Sequence, residues 1–128
     1  VTGVAPQARV GVIGGSGFYD MAGFTDQQDV SVATPFGSPS DVLTVGQLGG
    51  TSVAFLPRHG RTDHIMPSEL PVQANIYALK QLGVQWVISI GAVGSMREEI
   101  QPLDLVVPDQ LFDVSAPAAR KKKSKHLG

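Results

Sequence analysis

Short apolar runs broken by glycine and proline dominate this chain. Arg9–Ile13 reads as a buried strand running straight into Gly14-Gly15-Ser16-Gly17. Asp41–Leu48 and Thr51–Pro57 read as two more strands, joined by Gly49-Gly50, a pair suited to a tight hairpin turn. Asp29–Ala33 is a further candidate strand, and Thr34-Pro35-Phe36-Gly37-Ser38-Pro39 is a loop by its proline and glycine content. The pattern predicts a helix that begins near Ser68–Pro71, carries Val72, Ile76 and Leu79 along one face and stops at Gly83. Val84–Ile90 then predicts another buried strand, ending in Gly91-Ala92-Val93-Gly94-Ser95, and Leu103–Pro108 predicts the last. Tyr77 and Trp86 read as core residues, and Asn75, near the apolar face of the helix, as a satisfied structural amide. Consecutive strands followed by a strand–helix–strand unit predict an α/β fold with a mixed central sheet flanked by helices. The runs ending at Ile13, Pro57 and Ile90 each lead into a polar or glycine-rich loop, which is where open α/β sheets place their ligands.

With 128 residues, 42% of them apolar and 16% charged, the chain fits one modest globular domain rather than a disordered class. No apolar run is long enough to cross a bilayer, and Val1–Arg9 lacks the layout of a secretion signal, so a cytoplasmic location is expected. The absence of cysteine excludes disulfides and thiolate metal sites. The formal net charge of −1 conceals an asymmetry. Five of the ten Lys and Arg residues lie in Arg120–Lys125, after all eleven Asp and Glu residues. The body is therefore acidic, and an anion site there must be built locally. Residues 116–128 read as a basic, low-complexity tail expected to be disordered, following a domain over residues 1–115. The acidic body and the lack of aromatics among the basic residues argue against a nucleic-acid partner.

Two motifs change the picture. In Gly14-Gly15-Ser16-Gly17 no bulky side chain blocks an approaching ligand, so backbone N–H groups and the Ser16 hydroxyl can converge on one anion. A plain glycine turn is the equal alternative for that stretch. Neither the dinucleotide fingerprint nor a Walker loop fits its spacing. Arg58-His59-Gly60-Arg61 supplies charge: a guanidinium fork matches two phosphate oxygens, and the adjacent histidine is expected to add a directed N–H donor. A solvated basic loop is the alternative there. His59, Asp63 and His64 make a poor metal set, since Gly60 argues against a helix presenting paired ligands and no further ligand follows; no metal is assigned. Glu98 and Glu99 are adjacent only in sequence, which disfavours a two-carboxylate glycosidase. No nucleophile, base and orienter set is visible.

Five ordered blocks together carry a family likeness: Gly11-Val12-Ile13-Gly14-Gly15-Ser16-Gly17; Thr34-Pro35-Phe36-Gly37 with Pro39-Ser40-Asp41; Arg58-His59-Gly60-Arg61 with His64-Ile65-Met66-Pro67-Ser68; Gln73–Lys80; and Ala92–Ile100. From about Arg9 to Asp113 the chain resembles the 5′-methylthioadenosine phosphorylase branch of the purine nucleoside phosphorylase superfamily. The resemblance implies a phosphorylase-like fold, C-terminally incomplete here, and a pentosyltransferase reaction of purine and methionine salvage. Phosphate would attack the sugar of methylthioadenosine, giving adenine and 5-methylthioribose 1-phosphate. It implies phosphate contacts at Ser16, Arg58, His59, Gly91 and Ala92, with Gly14, Gly15 and Gly17 forming the supporting loop and Arg61 and His64 as lesser candidates. No catalytic group is assigned in this segment. Inorganic phosphate is the co-substrate, no cofactor is implied, and complete relatives are expected to be homotrimers. The purine-side groups come from later in the family's chain, so little turnover is expected from these residues alone. A phosphorylase for 6-oxopurine nucleosides and a non-catalytic, phosphate-binding remnant are the alternatives. Position 91, usually a hydroxyl or amide residue in the family, is glycine here, which leaves only backbone donors.

Overall fold

The computed structural model describes residues 6–15, 21–62 and 65–114. The chain divides into two units, Val1–Val93 and Gly94–Gly128. In the first, β1 (Val10–Gly14), β2 (Phe24–Val30), β3 (Leu43–Leu48), β4 (Thr51–Pro57), the helix α1 (Val72–Gln81) and β5 (Trp86–Ser89) follow in chain order. The strands form one five-stranded sheet in the order β2-β3-β4-β1-β5. β2–β3 and β3–β4 pair antiparallel, whereas β1 pairs parallel with both β4 and β5. The sheet is mixed, as the sequence predicts.

Apolar residues on alternating positions give the sheet a core on each face. On one face Leu43, Val45, Ala54 and Leu56 pack with Ala78, Leu79 and Leu82 from the end of α1; on the other, Val12, Val53 and Phe55 pack with Phe24. Gly11 faces the helix because a Cβ there would stand 3.0 Å from both Leu79 Cδ2 and Val84 Cγ1. The hairpin between β3 and β4 uses Gly49 and Gly50 at φ 56° and 79°, the double left-handed turn that the strand twist favours. α1 closes on Gly83 at φ 80°, where the Gly83 and Val84 amides donate to the Lys80 and Leu79 carbonyls and satisfy the end of the helix.

Four sequence expectations within the first unit are corrected. The strand beside β3 is Phe24–Val30 rather than Asp29–Ala33. It is a polar edge strand whose register shifts between Thr25 and Gln28, with Asp26 at φ 54°, and pairing with β3 rather than β propensity makes it a strand. The helix buries Ala74, Asn75, Ala78 and Leu79, not Val72 and Ile76, because small side chains let it approach the sheet. β5 pairs with β1 but is exposed throughout, with Trp86 65% accessible; among the described residues no strand is hydrogen-bonded to its outer side. Tyr77 is only half-buried, its ring edge-on to Phe36.

The described residues of the second unit, 94–114, contain no helix or strand. Leu103–Pro108 is not a strand: Leu103 sits at φ 75°, which interrupts an extended run at its first residue. Local bonds shape this segment instead, with the Arg97 amide donating to Ser95 Oγ, Arg97 ion-paired with Glu99, and the Gln101 amide donating to Asp104 Oδ2 at 2.8 Å. Among the described residues, no helix is long and apolar enough to cross a membrane.

Candidate functional site

Parallel pairing brings the C-terminal ends of β1, β4 and β5 to one edge of the sheet. Gly14 is opposite Pro57, Ile13 is opposite Ser89, and the Ile90 amide donates to the Ile13 carbonyl at 2.8 Å, carrying the ladder one residue further. The loops leaving these three strands therefore start side by side. Gly15 continues β1 into open space: a Cβ there would meet nothing within 4 Å. Among the described residues nothing packs where a side chain at Gly15 would stand.

The loop after β4 is held by backbone. The Arg58 amide donates to the Gly14 carbonyl at 2.9 Å, and the Gly60 amide donates to the Pro57 carbonyl at 3.1 Å. Gly60 takes φ 78°, so the chain turns sharply and presents Arg58 and His59 at the strand end. Both are half-buried. The Arg58 side chain reaches across β1 to the start of the β5 loop. Its Nη1 and Nη2 each lie 3.7 Å from where a Cβ on Gly91 would be. One cationic fork thus links residues 58 and 91, which are 33 apart in sequence, across the end of β1.

His59 is held from both sides of its ring. Its Nδ1 donates to the Ile65 carbonyl at 2.9 Å, and its Nε2 accepts from Arg58 Nε at 3.3 Å. The Ile65 amide returns a bond to the His59 carbonyl at 3.2 Å. Both ring nitrogens thus have partners within the protein. Arg61 also turns elsewhere: Nη2 pairs with Asp29 Oδ1 at 2.8 Å and reaches Thr44 Oγ1 at 3.2 Å, while its amide donates to Asp41 Oδ2 at 2.8 Å. The Arg61 guanidinium beside Asp29 holds that carboxyl below its ordinary value, aided by the Thr44 hydroxyl and opposed by partial burial. Arg61 ties the β4 loop to β2 and β3.

The structure therefore brings Gly14, Gly15, Arg58, His59 and Gly91 to one edge, with Ala92 next in the chain. Ser16, Gly17 and His64 lie outside the described residues, as does Asp63. Among the described residues no three His, Asp or Glu side chains are grouped to hold a metal. Sequence reading missed the supports: Asp29, Asp41, Thr44 and the Ile65 carbonyl. Asp41 and Ile65 fall within the family-like blocks, but nothing local in the sequence marks Asp29 or Thr44.

An arginine fork beside glycine-rich strand ends is chemistry suited to a phosphate-sized anion. The profile of the Phosphorylase superfamily matches residues 9–126. An S-methyl-5′-thioadenosine phosphorylase from Gloeobacter violaceus is 61% identical over 108 residues, which are 84% of this chain and 36% of the relative. Its counterpart from Saccharolobus solfataricus is 51% identical over 109 residues, 85% of this chain and 40% of the relative. Among solved structures, a methylthioadenosine phosphorylase sourced from an antarctic soil metagenomic library has a TM-score of 0.78 at 50% identity, covering 83% of this chain and 37% of that one. An adenosine/methylthioadenosine phosphorylase from Schistosoma mansoni in complex with adenine has a TM-score of 0.65 at 43% identity, covering 73% and 32%. This chain, spanning little more than a third of the length of the relatives it matches, belongs to the phosphorylase superfamily.

Proposed function

We propose that this chain carries the phosphate-holding edge of a 5′-methylthioadenosine phosphorylase. In the reaction, an oxygen of inorganic phosphate bonds to the anomeric carbon of methylthioadenosine as the glycosidic C–N bond breaks. The bonding pair leaves with the base, which takes up a proton and departs as adenine; the other product is 5-methylthioribose 1-phosphate. The observation that carries the proposal is the Arg58 fork over Gly91, on the edge where β1, β4 and β5 end together. Relatives named S-methyl-5′-thioadenosine phosphorylase at 50–61% identity support the substrate.

The chemistry needs little from this edge beyond placement. Phosphate is already a nucleophile and requires no base. Breaking the glycosidic bond early leaves positive charge on the sugar, which a fixed dianion both stabilises and captures. Arg58 would balance the phosphate charge, with the Ser16 hydroxyl and the amides of Gly15, Gly17, Gly91 and Ala92 on its oxygens, while Gly14 stays in the β1–β4 ladder. His59 and Arg61 would act from behind, and His64 stands as a lesser candidate. No cofactor enters. The complete enzyme would serve purine and methionine salvage in the cytoplasm as a homotrimer; in the present chain, residues 1–115 would be the opening part of its domain and 116–128 a basic tail.

Titration of the labelled 128-residue chain with inorganic phosphate, followed by amide chemical shifts, tests the site. Shifts concentrated at Gly14, Gly15, Arg58, Gly91 and Ala92 are expected, and Arg58→Ala should abolish them. Shifts scattered away from this edge would overturn the reading. Adenine release from methylthioadenosine and phosphate should be far below that of a complete relative.

A further inference from the structure

The hydrogen bonds around His59 allow only one protonation pattern. A backbone carbonyl cannot donate, so Nδ1 must carry the proton shared with Ile65. An arginine Nε–H cannot accept, so Nε2 must offer its lone pair to Arg58. The opposite tautomer, or the imidazolium, would set two N–H groups against each other at 3.3 Å. From this geometry we infer that His59 is a positioning residue: as the neutral Nδ1–H tautomer, it holds Arg58 so that the guanidinium meets phosphate end-on, through Nη1 and Nη2.

A guanidinium has two bidentate edges on which a phosphate can sit, one formed by Nη1 and Nη2 and one that includes Nε. Here His59 occupies Nε. The Nη1/Nη2 edge is left, and both of its nitrogens stand equally far, 3.7 Å, from the Cβ position of Gly91. The lock is anchored on both sides, because the Ile65 carbonyl fixes the ring and the Gly14 carbonyl fixes the Arg58 backbone. An arginine restrained before the ligand arrives loses less freedom on binding, and this preorganisation is what His59 contributes. The inference rests on the phosphate-site reading, but its structural half is measurable without phosphate.

The experiment uses the labelled chain at a pH about two units above the ordinary histidine value of ~6.5. Long-range ring couplings report the tautomer, and His59→Gln assigns the signals. His59 should be Nδ1-protonated, and the Arg58 Nε–H signal should resist exchange with water. That signal should persist in His59→Gln, whose side-chain oxygen can accept in place of Nε2, and should be lost in His59→Leu. Phosphate affinity should fall about tenfold in His59→Leu and stay within about threefold in His59→Gln, as expected if one charge-assisted bond orients the fork. An Nε2-protonated ring in the wild-type chain, or a Gln variant as weak as the Leu variant, overturns the inference. A chain with the expected tautomer and Arg58 signal that binds no phosphate would keep the His59–Arg58 lock and overturn the phosphate-site reading instead.

Discussion

Asn75→Ala tests whether the loop before β3 is fastened to α1 by a single buried side chain. The Asn75 Oδ1 accepts from the Ser40 amide at 2.8 Å, and its Nδ2 donates to Ser40 Oγ at 2.9 Å. Both residues are buried, at 4% and 6% exposure, so water cannot readily replace the lost partner. Truncation removes two bonds and strands the Ser40 N–H and hydroxyl. With ~1 kcal/mol net per bond and an added desolvation cost for the orphaned groups, the loss should be about 2–4 kcal/mol. A chain of this size is stable by only ~0.05–0.15 kcal/mol per residue, so the change is large. Urea denaturation followed by far-ultraviolet circular dichroism measures it, provided the slope is unchanged between variants. In a Ser40→Ala background the same substitution should cost about 1 kcal/mol less, because the hydroxyl bond is already gone. Exchange of the Ser40 amide should also quicken in Asn75→Ala. A loss below about 0.5 kcal/mol, the range of ordinary surface substitutions, with an equally slow Ser40 amide, would refute the reasoning.

Gly91→Ser places a Cβ at ordinary contact distance from the Arg58 fork, at a backbone position without the left-handed φ that penalises side chains. Its melting temperature should match the parent's, and calorimetry should show phosphate bound up to about tenfold more tightly, the value of one added hydroxyl bond. Gly46→Ala drives a Cβ to 2.6 Å from the Phe24 ring and 2.8 Å from the Thr25 carbonyl, which is backbone and cannot swing away. A thermal melt should register a cost of about 1–3 kcal/mol. Arg61→Met removes the partner that lowers the Asp29 carboxyl. Because that value is depressed in the fold, the pair stabilises the chain above the ordinary aspartate range, and its contribution fades as pH falls through the lowered value. The side chains are 40% and 51% exposed, so the parent's advantage should be at most about 1 kcal/mol near pH 7 and should vanish at strongly acidic pH, as paired urea titrations would report.

The sequence by itself determined the elements whose signals are local. Alternating or continuous apolar runs marked β1, β3 and β4, and paired glycines marked their hairpin. Gly83 stopped α1 because only a left-handed residue closes that helix end economically. The candidate edge was legible for the same reason: glycine-rich loops and Arg58-His59 stand directly after strands whose apolar content is plain. Tertiary structure decided everything that depends on a distant partner. β2 is a polar strand only because β3 lies alongside it. α1 turns Ala74 and Ala78 inward, since fit against the sheet rather than side-chain hydropathy sets its face. β5 reads as buried, yet stands exposed with no described strand on its outer side. Arg61, a lesser anion candidate by sequence, takes partners 20 and 32 residues away that its local motif does not announce. His59 likewise became an acceptor for Arg58 once the Ile65 carbonyl claimed its proton. Backbone preference acts over a few residues, whereas hydrogen-bond partners and burial are assigned by strand register and packing, which no short stretch of sequence encodes.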